Sequence, residues 1–414
     1  MFRIIAALCA ATSCVVVAQA QTTIVTLEQA VAAAGGSAPA RDAAQAEIDA
    51  AQAARAVAGL RPNPQLQTQI ENIAGTGPYG GFDQAETTVG LAIPIELGGK
   101  RAARIGLADA QSGRAQVAAA VAEADIRLQV TQLYVEAVAA ERRLATARDQ
   151  DRIAQAARRA AQIRVQAGRA SPIEEQRAEV AALTAANGIA QAQRLAMAAR
   201  ANLARRVGLP ADAMLDDAAL DRLPPDRHGP AAVTGAGTLA LAAADADLGI
   251  ADAGVTLARS QRVPDLNVGP GIRRLEASND TAAVFSLSVP IPLFNAGRAA
   301  VTQARAERRR AEAQRRMTAL DVEQAITDAQ AQADNAAATA RMASGPALAA
   351  AQEAARIARI GYREGKFGQI DLLDAERTLA DTRIAAIDAL AAYHNARARL
   401  ERLTAPAPEQ GKFQ

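Results

Sequence analysis

The length of two helical patterns limits the fold more than any other feature of this chain. One Ala-rich run extends over residues 100–166 and a second over 298–363. At about 1.5 Å per residue each spans on the order of 100 Å, several times the length of an average helix. A globular domain within 414 residues has no use for such a rod. Long helices without a globular core are stable side by side, as coiled coils. Half of the chain is hydrophobic, yet aromatics are 2% and Trp is absent. Much of the apolar content is Ala, which lets backbones approach closely but fills little core volume.

The seams of these helices say how many neighbours each has. In the first run Val117, Val121, Ala124, Leu128, Val135 and Val138 form one stripe, and Ile126, Val130, Leu133, Ala137, Ala140 and Leu144 a second, displaced one. The returning helix near the C-terminus repeats the pattern through Leu372, Ala375, Leu379, Thr382, Ala386, Ala389, Tyr393, Ala396 and Leu400. A two-stranded coiled coil needs one seam per helix, whereas a closed ring needs two. A small antiparallel bundle with wide faces is the competing architecture.

Each long run is entered from a strand-like segment. An alternation of Val89, Leu91, Ile93, Ile95 and Leu97 runs into "AIPIELGGKRAARI" (92–105), where Pro94 interrupts and Gly98-Gly99 leads into the helix. An alternation of Phe285, Leu287, Val289, Ile291 and Leu293 runs into "SVPIPLFNAGRAAVTQARA" (288–306), where Pro290 matches Pro94 and Gly297 leads into the helix. Proline removes a ladder donor and glycine accepts backbone angles that other residues resist, so both sites read as strand-to-helix junctions. Other landmarks recur about 200 residues apart, as in a duplicated sequence. Arg61-Pro62 matches Val263-Pro264, Gly168 matches Gly365 and Glu179 matches Glu376. The expected organisation is a first repeat over 21–206, a Pro/Asp-rich linker over 207–237, a second repeat over 238–404 and a tail over 405–414. Each repeat reads as a helix (27–59; 238–261), two strands (65–73 with 86–97; 265–275 with 281–294) and a long helical hairpin.

Residues 1–20, with Arg3, an apolar stretch and Ala18-Gln19-Ala20, read as a secretory signal peptide. Both cysteines, Cys9 and Cys14, fall inside it, which leaves the mature chain without thiol chemistry. Cys14 is the alternative acceptor of a lipid, although Ala11 stands where such sites usually carry Leu. No other stretch has the roughly 20 apolar residues of a membrane helix. The strands alternate an apolar face with a smaller, more polar one, as a membrane barrel wall does. Four strands cannot close a barrel, since about eight is the minimum, and hydrocarbon does not tolerate open sheet edges. Either the sheet lies covered in the periplasm or several chains share one barrel, and three chains supply about twelve strands. Aromatic residues for the interfacial girdles are sparse: Tyr79, Phe82, Phe285 and Phe294.

Charge and chemistry exclude much else. The net charge of +2 lacks the excess of a nucleic-acid binder. His228 lies in the linker and His394 on the last helix, neither beside a second ligand type, so no catalytic centre, metal site or cofactor is expected. Lys100, Arg101 and Arg104 start the first long helix, against the preference of its dipole. They read either as lipid-phosphate contacts below the barrel or as a solvated first turn.

These landmarks resemble the TolC-like outer membrane factors over nearly the whole mature chain. "RPNPQL" (61–66) and "IELGGKRAAR" (95–104) are most similar to the branch serving cobalt–zinc–cadmium and related heavy-metal efflux. The resemblance implies a mainly α protein with a membrane β-barrel part, closed by trimerisation and continued by a helical tunnel through the periplasm. It also implies partners: outer-membrane lipid, a periplasmic adaptor and an inner-membrane pump. In "GQIDLLDAE" Asp371 and Asp374 stand three apart at the start of the returning helix. Acidic residues are favoured there by the dipole, and the resemblance makes them the pore constriction at the periplasmic mouth. It makes Gly168, Arg169, Ala170 and Ser171, with Gly365, Lys366, Phe367 and Gly368, the adaptor-docking hairpin tips. Ser171 and Pro172 also suit an N-cap and a first helical position.

The expected function is a passive export duct of a tripartite efflux system, with heavy-metal cations as cargo. A duct for drugs or for type I protein secretion is one alternative. A periplasmic coiled-coil scaffold is the other, and an enzyme is not expected.

Overall fold

The computed structural model describes residues 24–37, 39–208, 210, 213–224 and 234–408. The signal peptide, Cys9, Cys14, His228 and the end of the tail lie outside the described residues. Among the described residues eight α-helices and four strands follow one another as α1 (Leu27–Ser37), α2 (Pro39–Ala58), β1 (Gln65–Glu71), β2 (Glu86–Ile95), α3 (Lys100–Gln166), α4 (Pro172–Val207), α5 (Leu239–Ser260), β3 (Leu266–Leu275), β4 (Asp280–Ser288), α6 (Arg298–Met342), α7 (Leu348–Arg363) and α8 (Gln369–Leu403). The first expected helix is thus two, because Pro39 has no N–H for a preceding turn and opens α2 at its first position.

The first rod, α3, is an unbroken helix of 67 residues. The second is interrupted where the sequence reads as continuous. Between α6 and α7 the chain makes a π turn over Ala343–Ala347 with Pro346 inside it. Proline cannot donate to the carbonyl one turn back, and the wider turn accommodates its ring. The Ser344 hydroxyl donates to the Ala340 carbonyl at 2.7 Å, a side-chain bond typical of such a site.

Helices pack side by side in two tiers. Near the sheet, α2 lies against α3, α3 against α5 and α5 against α6; farther away α4 lies against α3, α3 against α8 and α8 against α7. Ion pairs set the register of the near tier. Arg55 pairs with Asp109, Arg114 with Asp247 at 2.9 Å, and Arg308 and Arg315 with Asp252 and Asp245. Exposed pairs of this kind contribute only about 0–1 kcal/mol each, so packing supplies most of the stability.

The main core sits where the tiers meet. Val130, Tyr134 and Val138 of α3 pack with Leu203 of α4, Ile387, Leu390 and Tyr393 of α8, and Ala30 and Ala34 of α1. The Tyr134 hydroxyl donates to the Val25 carbonyl at 2.8 Å and accepts from the Asp216 N–H at 2.9 Å. Burial pushes its pKa up to about 12. The segment read as a linker contributes to this core. Val25 bridges Leu215, a 3-10 turn spans Asp217–Asp221, and Leu220 is 2% exposed. Arg142 grips Asp217 and, at 2.7 Å, Asp221. Its Pro and Asp residues signalled a spacer, but the apolar Leu215 and Leu220 between them are what pack.

The strands form one antiparallel sheet in the order β1-β2-β3-β4. The ladder corrects the proline reading in the first copy. Pro94 lies inside it, paired with Asn267, and β2 continues to Ile95. Pairing with β1 stops at Gln65–Ala92, so beyond Ala92 the strand has one neighbour only, a setting that tolerates proline. In the second copy the expected strand over 281–294 stops at Ser288, two residues before Pro290.

Candidate channel wall and tunnel mouth

The register sorts the sheet into two chemically distinct faces. Leu66 opposes Leu91, Val89 opposes Ile272, Ile93 opposes Val268, and Val268 opposes Leu287. With Ile70, Ile95 and Phe285 these residues form one apolar face, left open to the surroundings: Leu66 is 71% exposed, Ile272 60% and Phe285 69%. The alternate positions carry Gln65, Gln67, Gln69, Thr88, Gly90, Asn267, Gly269, Gly271, Ser286 and Ser288. Most of this face is small or polar without carrying charge. Charge gathers at its far end, where Arg273 lies 3.0 Å from Glu71 and 2.6 Å from Glu86 and donates to the Thr88 hydroxyl at 2.9 Å. A water-soluble sheet with one wet face would bury the apolar face against helices. Here no helix among the described residues covers it, as expected of a wall between lipid and an aqueous lumen. Of the sparse aromatics, Phe285 lies on this face, Tyr79 and Phe82 lie in the β1–β2 loop, and Phe294 follows β4; all are exposed.

At the junctions the glycines adopt left-handed angles. Gly98 and Gly99 both have φ +71, and Gly297 has φ +69. Gly99 and Gly297 occupy the N-cap positions of α3 and α6. Gly98 also has no room, because a Cβ there would lie 2.6 Å from the Val263 side chain. The basic residues that follow are taken up by protein partners. Lys100 pairs with Asp265 at 2.6 Å. Arg101 donates to the Gly59 carbonyl at 2.6 Å, and Arg104 donates to the Ala58 and Leu60 carbonyls while pairing with Glu96. The two arginines serve the C-terminus of α2, whose last carbonyls lack helical partners and attract cations. This differs from both readings made from sequence, lipid-phosphate contact and a solvated first turn, neither of which involved α2.

The two hairpin tips are built alike. Gly168 has φ +69 and Gly365 φ +71, and the following N–H groups of Arg169 and Lys366 close back onto the Arg164 and Gly361 carbonyls at 2.8 Å each. This is the Schellman ending of a helix. Gly168, Arg169, Ser171, Gly365, Lys366, Phe367 and Gly368 are exposed, and Ala170 is half-buried. Phe367 packs over Gly361, where any Cβ would collide with its ring. Pro172 opens α4 as expected, but the Ser171 side chain makes no capping bond. Asp371 does: its Oδ2 accepts from the Gly368 N–H at 2.9 Å. Asp374 is exposed and has no ion-pair partner among the described residues.

Just above the tips lies a pair of contacts that sequence reasoning did not assign. Glu376 is 3% exposed and is held by Arg359 in a two-pronged ion pair, one prong at 2.7 Å. The hydrogen bond to Glu376 pushes the Arg359 pKa further above its usual range. In the first copy Arg158 pairs with Glu179 across its own hairpin at 3.2 Å. The recurrence of Glu179 as Glu376 in the duplicated sequence was the available signal. Between the two hairpins the Arg164 guanidinium sits 5.3 Å from the centre of the Tyr362 ring. His394 serves packing: its Nε2 lies 2.9 Å from the Leu220 carbonyl and burial pushes its pKa down. Among the described residues no group of three or more His, Cys, Asp or Glu side chains could hold a metal ion.

Known proteins share both the sequence and this architecture. The family model described as outer membrane efflux protein matches residues 33–209 and again 236–405. The cobalt-zinc-cadmium resistance protein CzcC of Cupriavidus metallidurans is 30% identical over 381 residues, covering 91% of this chain and 89% of that protein. The nickel-cobalt-cadmium resistance protein NccC of Alcaligenes xylosoxydans is 30% identical over 312 residues, covering 74% and 70%. Among solved structures, the open state of the Neisseria gonorrhoeae MtrE outer membrane channel superposes with a TM-score of 0.74 at 20% identity, covering 91% of this chain and 88% of that one. Its likeness reports the fold: long helices standing below a small antiparallel sheet. With two copies of the family model spanning the rods, junctions and strands, the chain belongs to the outer membrane efflux protein family, a family of outer-membrane ducts rather than enzymes.

Proposed function

We propose that three copies of this chain close one barrel and one helical tunnel, and that the duct exports heavy-metal cations handed over by a periplasmic adaptor and an inner-membrane pump. The observation that carries the reading is the sheet, with an uncovered apolar face, a polar opposite face and unpaired edges at β1 and β4. Pairing β4 of one copy with β1 of the next removes every edge, the condition for a sheet in hydrocarbon. The heavy-metal cargo is supported by the similarity to CzcC and NccC over most of the chain. Cations pass as cargo through water, without a tight site in the wall.

In this reading Asp371 and Asp374 ring the periplasmic mouth, and the exposed turns at Gly168–Ser171 and Gly365–Gly368 receive the adaptor. The junction at Pro94, Gly98 and Gly99, with its counterpart at Pro290 and Gly297, turns each wall strand into a tunnel helix. A deletion strain tested on cobalt, zinc, cadmium, nickel, drugs and secreted protein separates the cargo classes. Sensitivity to the metals, restored by the intact gene, is expected. Sensitivity to drugs alone, or loss of a secreted protein alone, would move the assignment to those branches. Release of the protein from membranes by carbonate would favour a periplasmic scaffold instead.

A further inference from the structure

We infer that the chain carries a charge-matched seam for a second copy of itself, in which Glu47, Asp49 and Asp42 of α2 meet Arg310, Arg309 and Arg316 on the bare side of the next copy's α6. This rests on the assembly proposed above and goes further, because it names the helices, their register and the charges that join them.

The template lies within the chain. In the tier near the sheet α5 has a long helix on each side, α3 and α6, and ion pairs to both. Its counterpart in the first copy is α2, which also precedes two strands but has a long helix, α3, on one side only. Among the described residues α6 is covered in this tier by α5 alone, with α8 packing on it farther from the sheet. The repeat therefore ends in two bare flanks of complementary kind, which meet when copies associate head to tail in a ring.

The two flanks match in shape. At about 100° per residue, the stripe of α6 turned to α5, marked by Val301, Ala304, Arg308 and Arg315, lies opposite Ala299, Ala306, Arg310 and Met317. Met317 is 62% exposed. On α2 the half-buried Ala44, Ile48 and Ala51 turn to α3, and opposite them lie Ala46, Ala50, Ala53 and Val57. Val57 is 66% exposed. Small side chains on both flanks permit the close approach seen between α5 and its neighbours.

They also match in charge. Arg308 and Arg315 are occupied by α5, whereas Arg309, Arg310 and Arg316 have no ion-pair partner among the described residues. Neither do Asp42, Glu47 and Asp49 on α2. Register follows from the pairing of α3 with α5, where Arg114 meets Asp247 and both helices are anchored at the strand junction. Placed in the same way, α2 brings Ala50 level with Ala306, Glu47 with Arg310 and Asp42 with Arg316. For antiparallel helices, side chains displaced in the same rotational sense from the contact stripe fall on the same side of the seam. Glu47 and Arg310 share one side; Asp42, Asp49, Arg309 and Arg316 share the other. Acidic and basic groups coincide on both.

The full-length protein tests this in detergent. Reversal of the α6 charges (Arg309→Glu, Arg310→Glu and Arg316→Glu) should lower the trimer-to-monomer ratio about tenfold or more, since several pairs are lost at each seam. Adding Asp42→Arg, Glu47→Arg and Asp49→Arg to the same chain should restore it, a coupling that misfolding cannot mimic. In a chain with Cys9 and Cys14 replaced by Ala, Ala50→Cys with Ala306→Cys should give disulfide-linked oligomers on oxidation. Trimers indifferent to the α6 reversal, or a loss that the α2 reversal does not rescue, would overturn the charge pairing. A wild-type protein of another oligomeric size that still cross-links between positions 50 and 306 would keep the seam while removing the trimer.

Discussion

Glu376 is the one buried charged side chain among the described residues, and its position shows how a local rule is overridden. A carboxylate on an otherwise apolar seam is costly unless a cation meets it. Arg359 does so from the facing helix while keeping 45% of its side chain exposed. Glu376→Gln should therefore destabilise the hairpin by about 1–2 kcal/mol, less than a fully buried pair because water can still reach the arginine. Glu179→Gln, whose pair with Arg158 is more open, should cost about half a kcal/mol or less. Thermal unfolding of the two variants checks the order, and equal losses would count against it. At this scale the sequence was partly legible. The paired glutamates stood out as landmarks, and Asp371 stood where a helix start favours an acid. Arg101 and Arg104 were misleading, because the carbonyls they serve lie on or just after α2, 42 and 46 positions away in sequence.

At the scale of elements, the junctions show why glycine recurs there. A Cβ at Gly98 meets Val263, and the backbone angle is itself unfavourable for other residues. Gly81 shares the positive φ, at +89, but has open space around it. Gly98→Ala should therefore reduce the yield of assembled protein strongly, with a cost of about 2–4 kcal/mol from strain and overlap. Gly81→Ala should cost about 1 kcal/mol and leave assembly near normal. Comparable assembly of both in detergent extracts would remove the special status of the junction. The alternating strands and the long rods were readable because their periodicity is local. The π turn was not, since Gly345-Pro346 could equally have ended the helix. Neither was the folding of the linker onto the core, which depends on apolar residues finding α3 and α8 far along the chain.

At the scale of the whole molecule, the proposed trimer brings three Asp371 and three Asp374 together around one axis. Like charges at a constriction focus a negative potential that draws cations. Asp371→Asn with Asp374→Asn should then lower cation selectivity in planar bilayers and weaken block by multivalent cations. The bond from the Gly368 N–H to Asp371 gives this variant a second meaning, but Asn retains an acceptor oxygen there, so the helix start should survive. Unchanged selectivity and block would leave both aspartates as helix-start residues. The overall architecture was legible because four strands are too few to close, an argument from counting. The partner surfaces of α2 and α6 were not, because a single sequence does not mark which of several Ala-rich stripes faces a neighbour.

The unpaired edges of β1 and β4 also impose an order in time. A lone chain that entered the bilayer would carry two rows of unsatisfied backbone groups into hydrocarbon, at several kcal/mol each. A lone chain left in water would expose Leu66, Ile272, Phe285 and Leu293. Neither resting place suits the monomer, so its lifetime before meeting its partners must be short or guarded. In the proposed assembly, association and insertion are therefore one event rather than successive ones.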